Sequence, residues 1–254
     1  RPGRAFYSSS TLSGRSTLAP MPSSVTASDV TKATRGPVAA SASNPASASS
    51  VSVSESVIPS TPSGDDLLIV GPGVLGSYLG LLWKAKHPRA NVVGQTNTET
   101  SHEKLRALGI APRTNQGVSP GVAAAAGGKY PRVLFAAPPS GSADFVGEIQ
   151  KAIALWDKDA PGACFVYTGS AAVYDVDDGS QCNEDSPLVK KGASERTDKL
   201  LAAEDAVLSA GGCVLRLAGL YHAQRGAHTF FLRMGTVDRW GGYTVNLLHY
   251  EDAA

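Results

Sequence analysis

The feature that most constrains this chain is a glycine-rich junction between an apolar run and a helical pattern. Residues 67–70 read LLIV and GPGVLG follows directly, so Gly71, Gly73 and Gly76 have G-x-G-x-x-G spacing. Where a strand leads into a helix, the first glycine permits the tight turn and the second lets the backbone approach a pyrophosphate. The third lets the helix pack on the strand. The junction therefore predicts a dinucleotide-binding turn; a glycine-rich turn that binds nothing is the alternative.

Short apolar runs alternate with helical patterns in the chain from Asp66 onward. The predicted strands read LLIVG, NVVGQT, RVLFAAP, CFVYTGS, CVLRLAGLY and TVNLLHY. The predicted helices read VLGSYLGLLWKAKH, SHEKLRALG, GSADFVGEIQKAIALW and SERTDKLLAAEDAVLSAGG, with a further short helix in the Ala-rich residues 117–128. This alternation predicts an α/β fold, a doubly wound and mostly parallel Rossmann sheet with helices on both faces.

The carboxyl ends of the strands are where such a sheet binds its cofactor. The predicted cofactor contacts follow three of the predicted strands: Gly71, Gly73, Val74, Leu75, Gly76, Thr96, Asn97, Ala136, Ala137 and Pro138.

The residues after the second strand bear on the choice between NAD and NADP. NAD-binding turns usually carry an acid about 20 residues past the glycines, where it holds the ribose 2′-hydroxyl. Here the sequence reads GQTN, with no acid before Glu99. The missing acid removes repulsion of a 2′-phosphate and favours NADP, with Thr96 and Asn97 as hydrogen-bond donors. Because no arginine stands in this turn, NAD remains the alternative.

Residues 1–64 differ in composition from the rest and are predicted to be a disordered leader. They are rich in Ser, Ala, Thr, Val and Pro, they carry five basic residues, and their only acids are Asp29 and Glu55. Such segments bury too little apolar surface to offset chain entropy. An acid-poor, Ser-rich and Arg-bearing leader is typical of a transit peptide, for the chloroplast or alternatively the mitochondrion. A plain Ser/Ala-rich tail is the competing interpretation. Residues 65–254 are expected to form the Rossmann domain.

Charge and cysteine content narrow the function classes further. The formal net charge is +1, which gives no reason to expect a nucleic-acid partner, and no apolar window is long enough to predict a membrane span. Cys164, Cys182 and Cys213 form no CxxC pair, so neither a disulfide framework nor a metal site is predicted. Cys164 and Cys213 lie in apolar runs and are expected to be buried.

Three further segments carry a resemblance to a known family. The segments FVYTGSAAVYDVDDGSQCNEDSP, VLRLAGLYHAQRG and NLLHYEDAA follow the glycine turn in this order. Together they resemble the extended short-chain dehydrogenases, the NAD-dependent epimerase/dehydratase group. The resemblance implies an NAD(P) cofactor, a small carbonyl compound or nucleotide-sugar as substrate, and a homodimer. The chain begins with Arg1 and ends where that family's substrate lobe develops, so we expect a fragment with an incomplete C-terminal lobe.

Carried over residue by residue, the resemblance assigns the family's catalytic serine to Ser170. The family's Tyr-x-x-x-Lys pair, its general acid/base and ribose-binding lysine, is missing. Its positions hold Arg196 and Leu200, and none of the eight tyrosines is followed four residues later by lysine. Tyr174 is the candidate substitute acid, with a packing role as its alternative.

These residues leave three functions open. The first is an NAD(P)-binding protein of the atypical short-chain dehydrogenase group. The second is an active NADP-dependent reductase or nucleotide-sugar epimerase that uses Ser170 and a substitute acid/base. The third is a non-catalytic redox sensor or scaffold.

Overall fold

The computed structural model describes residues 5–6, 64–115, 128–237 and 244–254. Its strands are β1 (Ala5–Phe6), β2 (Leu67–Val70), β3 (Val92–Thr96), β4 (Ala111–Thr114), β5 (Arg132–Phe135), β6 (Cys164–Ser170), β7 (Cys213–Leu217), β8 (Gly219–Tyr221) and β9 (Leu247–His249). Its α-helices are α1 (Val74–Lys86), α2 (His102–Ala107), α3 (Phe145–Ala154), α4 (Glu195–Ser209) and α5 (Ala227–Met234). Within the predicted disordered leader, Ala5–Phe6 form strand β1, which the prediction did not include. Almost all of the rest of the leader and of the predicted helix in residues 117–128 lies outside the described residues, so these remain predictions.

The main sheet has seven parallel strands in the order β1-β7-β6-β5-β2-β3-β4. Apart from β1, this is the strand order of a doubly wound dinucleotide-binding fold, which winds outward in both directions from its centre. The winding direction reverses between β2 and β5, where their carboxyl ends leave a crevice. β8 and β9 pair in a separate parallel two-stranded sheet. The predicted fold class is thereby confirmed.

Both faces of the sheet are covered by helices. On one face, Ile149 of α3 and Val207 of α4 are fully buried against the sheet. On the other face, Leu105 of α2 is buried and Leu79 of α1 packs beside it. All four residues of β2 are buried, as expected for a central parallel strand with both faces covered.

The structure differs from the sequence predictions in several elements. β4 reads APRT and was not predicted, because Pro112 cannot donate to a ladder; as an edge strand it tolerates the proline. The α5 helix was also missed. The predicted strand CVLRLAGLY divides into β7 and β8 at Ala218. The expectation that Cys164 is buried is wrong, since it is exposed at the start of β6, and Cys213 is only half-buried.

A buried ion pair ties α4 to β7. Arg216 donates from Nε to both carboxylate oxygens of Glu204 at 3.1 Å, and from Nη2 to Oε2 at 2.7 Å. Glu204 is 2% exposed and Arg216 5%, so neither charge has water to replace its partner. The guanidinium also stands over the Tyr174 ring, 4.9 Å from its centroid. The pair therefore holds the helix, the sheet and the loop after β6 in one arrangement.

Replacing Glu204 by glutamine is predicted to destabilise the protein strongly. The variant leaves the buried Arg216 charge uncompensated, and breaking a buried pair in this way costs about 3–5 kcal/mol. Urea unfolding of the full chain measures the loss. The matched control is Glu195→Gln on the same helix, since Glu195 forms an exposed pair with Lys199. Equal unfolding midpoints for the two variants would contradict the buried-pair interpretation.

Candidate functional site

A cleft of about 690 Å³ opens at the carboxyl ends of β2 and β5. It is bounded by the glycine turn after β2, the end of β3, the segment after β5, the end of β6, the first turns of α4 and the residues around β8. This volume is within the range of small-molecule sites, about 300–1,000 Å³. The cleft therefore lies where doubly wound sheets bind their ligands.

Gly71 and Gly76 are required by close packing. Gly71 has a φ of +76°, and a Cβ there would lie 2.6 Å from the backbone N and Cα of Ala137. A Cβ on Gly76 would lie 2.7 Å from Cγ2 of Ile69 on β2. Side chains at these positions would push β5 or α1 away from β2. The two glycines therefore have the turn and packing roles that the motif predicts.

Gly73 differs from them because space remains in front of it. The nearest atom to a Cβ there is the Gly71 carbonyl oxygen, at 4.0 Å. Gly73 is also the N-cap of α1, and no side chain caps the helix. The residues of the first turn, Val74, Leu75 and Gly76, line the cleft, and the N–H groups of a first helical turn lack helical acceptors. An anion that enters the cleft meets these donors and the positive end of the helix dipole.

The segment after β5 forms the opposite wall. Ala136 donates its N–H to the Val70 carbonyl at 2.8 Å, so the segment lies directly beside the glycine turn. Ala136, Ala137 and Pro138 all line the cleft. A short 3₁₀ turn, Pro139–Gly141, then leads away from it.

The end of β3 also lines the cleft, but Thr96 and Asn97 differ in their contacts. The Thr96 hydroxyl donates to the Thr98 carbonyl at 2.8 Å and lies 2.9 Å from Nε2 of His102, so it stabilises the local turn. Asn97 is exposed at the cleft.

Sequence reasoning missed two residues beside them, Ser101 and Lys104, which are one helical turn apart and both line the cleft. The i, i+3 spacing of these two residues in the predicted helix was the available signal.

A chain of polar side chains runs along the same wall. Gln95 donates from Nε2 to Oδ1 of Asn115 at 3.4 Å, and Asn115 donates to the Glu148 carboxylate. Lys151 pairs with the same carboxylate at 3.0 Å. Glu148 lines the cleft and is already engaged by Lys151 and Asn115.

Ser170 lies at the end of β6 and lines the cleft. Its Oγ accepts a hydrogen bond from the Ala172 N–H at 3.2 Å, which fixes the side chain at the start of a 3₁₀ turn. The hydroxyl hydrogen has no acceptor among the described residues. Since a hydroxyl both donates and accepts, Ser170 retains a donor for a ligand oxygen.

Tyr174 does not reach the cleft. It is 9% exposed, its ring packs against Arg216, and it is absent from the residues that line the cleft in the described part of the chain. Burial alone would lower the pKa of Arg216, but the side chains of Glu204 and Tyr174 raise it. The structure thus places Tyr174 in a packing position outside the described cleft lining.

The two positions that correspond to the missing Tyr-x-x-x-Lys pair do face the cleft. Arg196 and Leu200, one helical turn apart on α4, both line it. Arg225, which follows β8, lines the same end together with Leu217 and Leu220. The described cleft residues thus include the cations Lys104, Arg196 and Arg225 and a single carboxylate, Glu148. Arg196 therefore brings a guanidinium to the cleft, a group that does not exchange a proton at neutral pH.

Two other types of site find no support within the described ranges. Nowhere in residues 64–115, 128–237 or 244–254 do three or more candidate ligands cluster as a metal site would require. Across those same ranges, no helix combines the length and the apolar character that crossing a membrane requires.

Solved structures share this fold at low sequence identity. A functionally unknown conserved protein from Silicibacter pomeroyi is 23% identical with a TM-score of 0.54, over 76% of this chain and 64% of that protein. A provisionally assigned NAD-dependent epimerase/dehydratase from Methylobacillus flagellatus is 19% identical with a TM-score of 0.53, over 75% and 67%. The Bordetella bronchiseptica enzyme WbmH, in complex with NAD⁺, is 18% identical with a TM-score of 0.50, over 74% and 69%.

No protein-family model and no curated protein sequence matches the chain. The chain spans about two thirds of the length of the three structures. At these identities the likeness concerns the fold: the chain has the Rossmann fold of NAD-dependent epimerase/dehydratase-like structures.

Proposed function

We propose that the cleft binds a nicotinamide dinucleotide with its pyrophosphate on the N-terminus of α1. The observation that carries this proposal is the open space in front of Gly73, next to uncapped helix N–H groups at the reversal point of the sheet. WbmH, which has this fold, is solved with NAD⁺ and supports the same ligand class. The adenosine end then lies over β3, near Asn97 and Lys104, and the nicotinamide end lies towards Ser170.

We propose NADP as the preferred form. No acid follows β3 directly, and Glu148, the carboxylate on this wall of the described cleft, is paired with Lys151 and hydrogen-bonded by Asn115, which reduces repulsion of a 2′-phosphate. Asn97 offers donors and Lys104 offers a positive charge on the same wall. NAD is the alternative, because one exposed lysine contributes only modestly to affinity.

For the protein as a whole we propose an NAD(P)-binding member of the atypical short-chain dehydrogenase group without the usual tyrosine–lysine chemistry. The support is the pair Arg196 and Leu200, which occupies the wall of the cleft where that chemistry takes place in the family. This arrangement would also be sufficient for a non-catalytic redox sensor or scaffold.

An active NADP-dependent reductase or epimerase is the second candidate. The observation in its favour is Ser170, which is held at the nicotinamide end with a hydroxyl donor still available. A small carbonyl compound or nucleotide-sugar is the substrate class that goes with it. The reaction would then need a proton donor other than Tyr174.

The Gly73→Asp variant is predicted to lose dinucleotide binding and keep the fold. Aspartate is a preferred N-cap residue, so α1 tolerates it, while its carboxylate occupies and repels the pyrophosphate position. Calorimetric titration with NADPH and NADH should show binding to the unmodified chain and a loss of about a hundredfold or more in the variant.

The matched control is Gly73→Asn, which adds the same bulk without the charge and should lose less affinity. Unchanged affinity in Gly73→Asp, or no binding of either nucleotide to the folded chain, would refute the cofactor proposal.

Lys104→Gln is predicted to weaken NADPH binding about five- to tenfold and to leave NADH binding unchanged, because only NADPH carries the 2′-phosphate. The same titrations measure both affinities. Lys86→Gln, at the far end of α1, serves as the control. An equal loss for the two nucleotides would assign Lys104 to another part of the ligand and remove this argument for NADP.

We also propose that residues 1–64 direct the protein to the chloroplast, with the mitochondrion as the alternative. The support is their acid-poor, Ser-rich and Arg-bearing composition. A fluorescent protein fused behind these residues should accumulate in one of the two organelles of a plant cell. Diffuse fluorescence in the cytosol would contradict the proposal.

A further inference from the structure

We propose that the Ser170 end of the cleft binds a ligand with an oxyanion group, a carboxylate or a phosphate, held by Arg196 and Arg225. The proposal rests on the proposed function, because the ligand would lie against the nicotinamide end of the dinucleotide. It names the substrate class for that site.

The charges of the cleft favour an anion. The charged side chains among its described lining are Lys104, Glu148, Arg196 and Arg225. Glu148 is paired with Lys151 at 3.0 Å and accepts from Asn115, so it does not offset the arginines. Lys104 lies at the β3 end, whereas the arginines lie at the other end. A dinucleotide pyrophosphate on the glycine turn therefore leaves the two arginines without a counter-charge.

The carboxylates next to Arg196 are already engaged. Glu195 pairs with Lys199 at 2.7 Å, and Asp198 accepts the Gly192 N–H at 2.9 and 3.1 Å. Ser194 caps the helix by accepting from the Thr197 N–H. Among the described residues Arg196 has no ion-pair partner. Its neighbours stabilise the start of α4 and leave the guanidinium available to the cleft.

Arg225 is held by a tight chain reversal. The backbone groups of His222 and Arg225 bond to each other in both directions, at 2.8 and 3.0 Å. The next residue, Gly226, has a φ of +148°, and a Cβ there would lie 2.6 Å from Cβ of Tyr221. The backbone therefore passes so close to β8 that only glycine fits at position 226. Within the described chain Arg225 also has no ion-pair partner.

The chemistry of the three side chains is complementary to an oxyanion beside a carbonyl or hydroxyl group. A guanidinium presents a planar fork that matches a carboxylate or a phosphate. The Ser170 hydroxyl donates to the adjacent ligand oxygen. Leu200 and Leu217 are 3% and 7% exposed and form an apolar part of the wall, while Arg196 and Arg225 are exposed at the cleft and accessible to an incoming ligand. Arginine in place of tyrosine thus changes a proton-transfer position into a charge-recognition position.

The test is a calorimetric titration of the full chain, with and without saturating NADPH, using oxalate and inorganic phosphate as probes. Ionic strength is held constant, and acetamide serves as the neutral probe. The titration is run at pH 7.5, where His222 is neutral because partial burial and the nearby His249, Arg225 and His228 lower its pKa. Oxalate or phosphate should bind and acetamide should not.

Arg196→Gln and Arg225→Gln should each raise the dissociation constant of the anion about tenfold. Arg196→Lys should bind the anion more tightly than Arg196→Gln, because lysine keeps the positive charge but lacks the planar guanidinium. The control is Arg233→Gln, an arginine on α5 outside the described cleft lining, which should bind like the unmodified chain. The probe that binds more tightly distinguishes a carboxylate site from a phosphate site.

The outcomes separate this inference from the proposed function. NADPH binding without any anion binding, or anion binding unaffected by both glutamine variants, would overturn the inference and leave the dinucleotide site intact. Anion binding that depends on the arginines without any NADPH binding would support the anion site and refute the proposed function.

Discussion

The close approach of the β2 and β5 carboxyl ends is the constraint on which the rest of this structure depends. Gly71 leaves its strand with a positive φ, and its Cα lies so near Ala137 that no side chain fits between them. This contact forms the floor of the crevice at the point where the sheet reverses its winding direction. It also sets where α1 begins, and so where the uncapped N–H groups and the open face of Gly73 are presented.

A second constraint acts on the other end of the cleft. The buried pair of Glu204 and Arg216 fixes α4 against β7, and the rotation of that helix brings Arg196 and Leu200 to the cleft. The Rossmann scaffold therefore presents Arg196 and Leu200 at the positions to which the sequence resemblance assigns a tyrosine and a lysine. Arg216 of the same pair packs against the Tyr174 ring, and Tyr174 is not among the described residues that line the cleft.

Sequence patterns were sufficient for the features that depend on backbone and burial. The glycine turn and the strand–helix alternation follow from motif spacing and periodicity, because these determine which residues meet at the carboxyl edge, whereas Ser170 was identified through the family resemblance. Side-chain partners were not predictable in the same way. The Thr96 hydroxyl donates to a carbonyl of its own turn, and the helical spacing of Ser101 and Lys104 does not by itself show that this helix face lines the cleft. Strand β4 was not predicted because it contains Pro112, and proline is unusual in a strand except at the edge of a sheet.

The most direct test of the central claim is a crystal structure of the chain with NADP⁺. The account predicts pyrophosphate oxygens within hydrogen-bond distance of the N–H groups of residues 74–76, in contact with the Cα of Gly73, and a nicotinamide ring that points to Ser170. A dinucleotide bound elsewhere, or with its pyrophosphate away from Gly73, would contradict it.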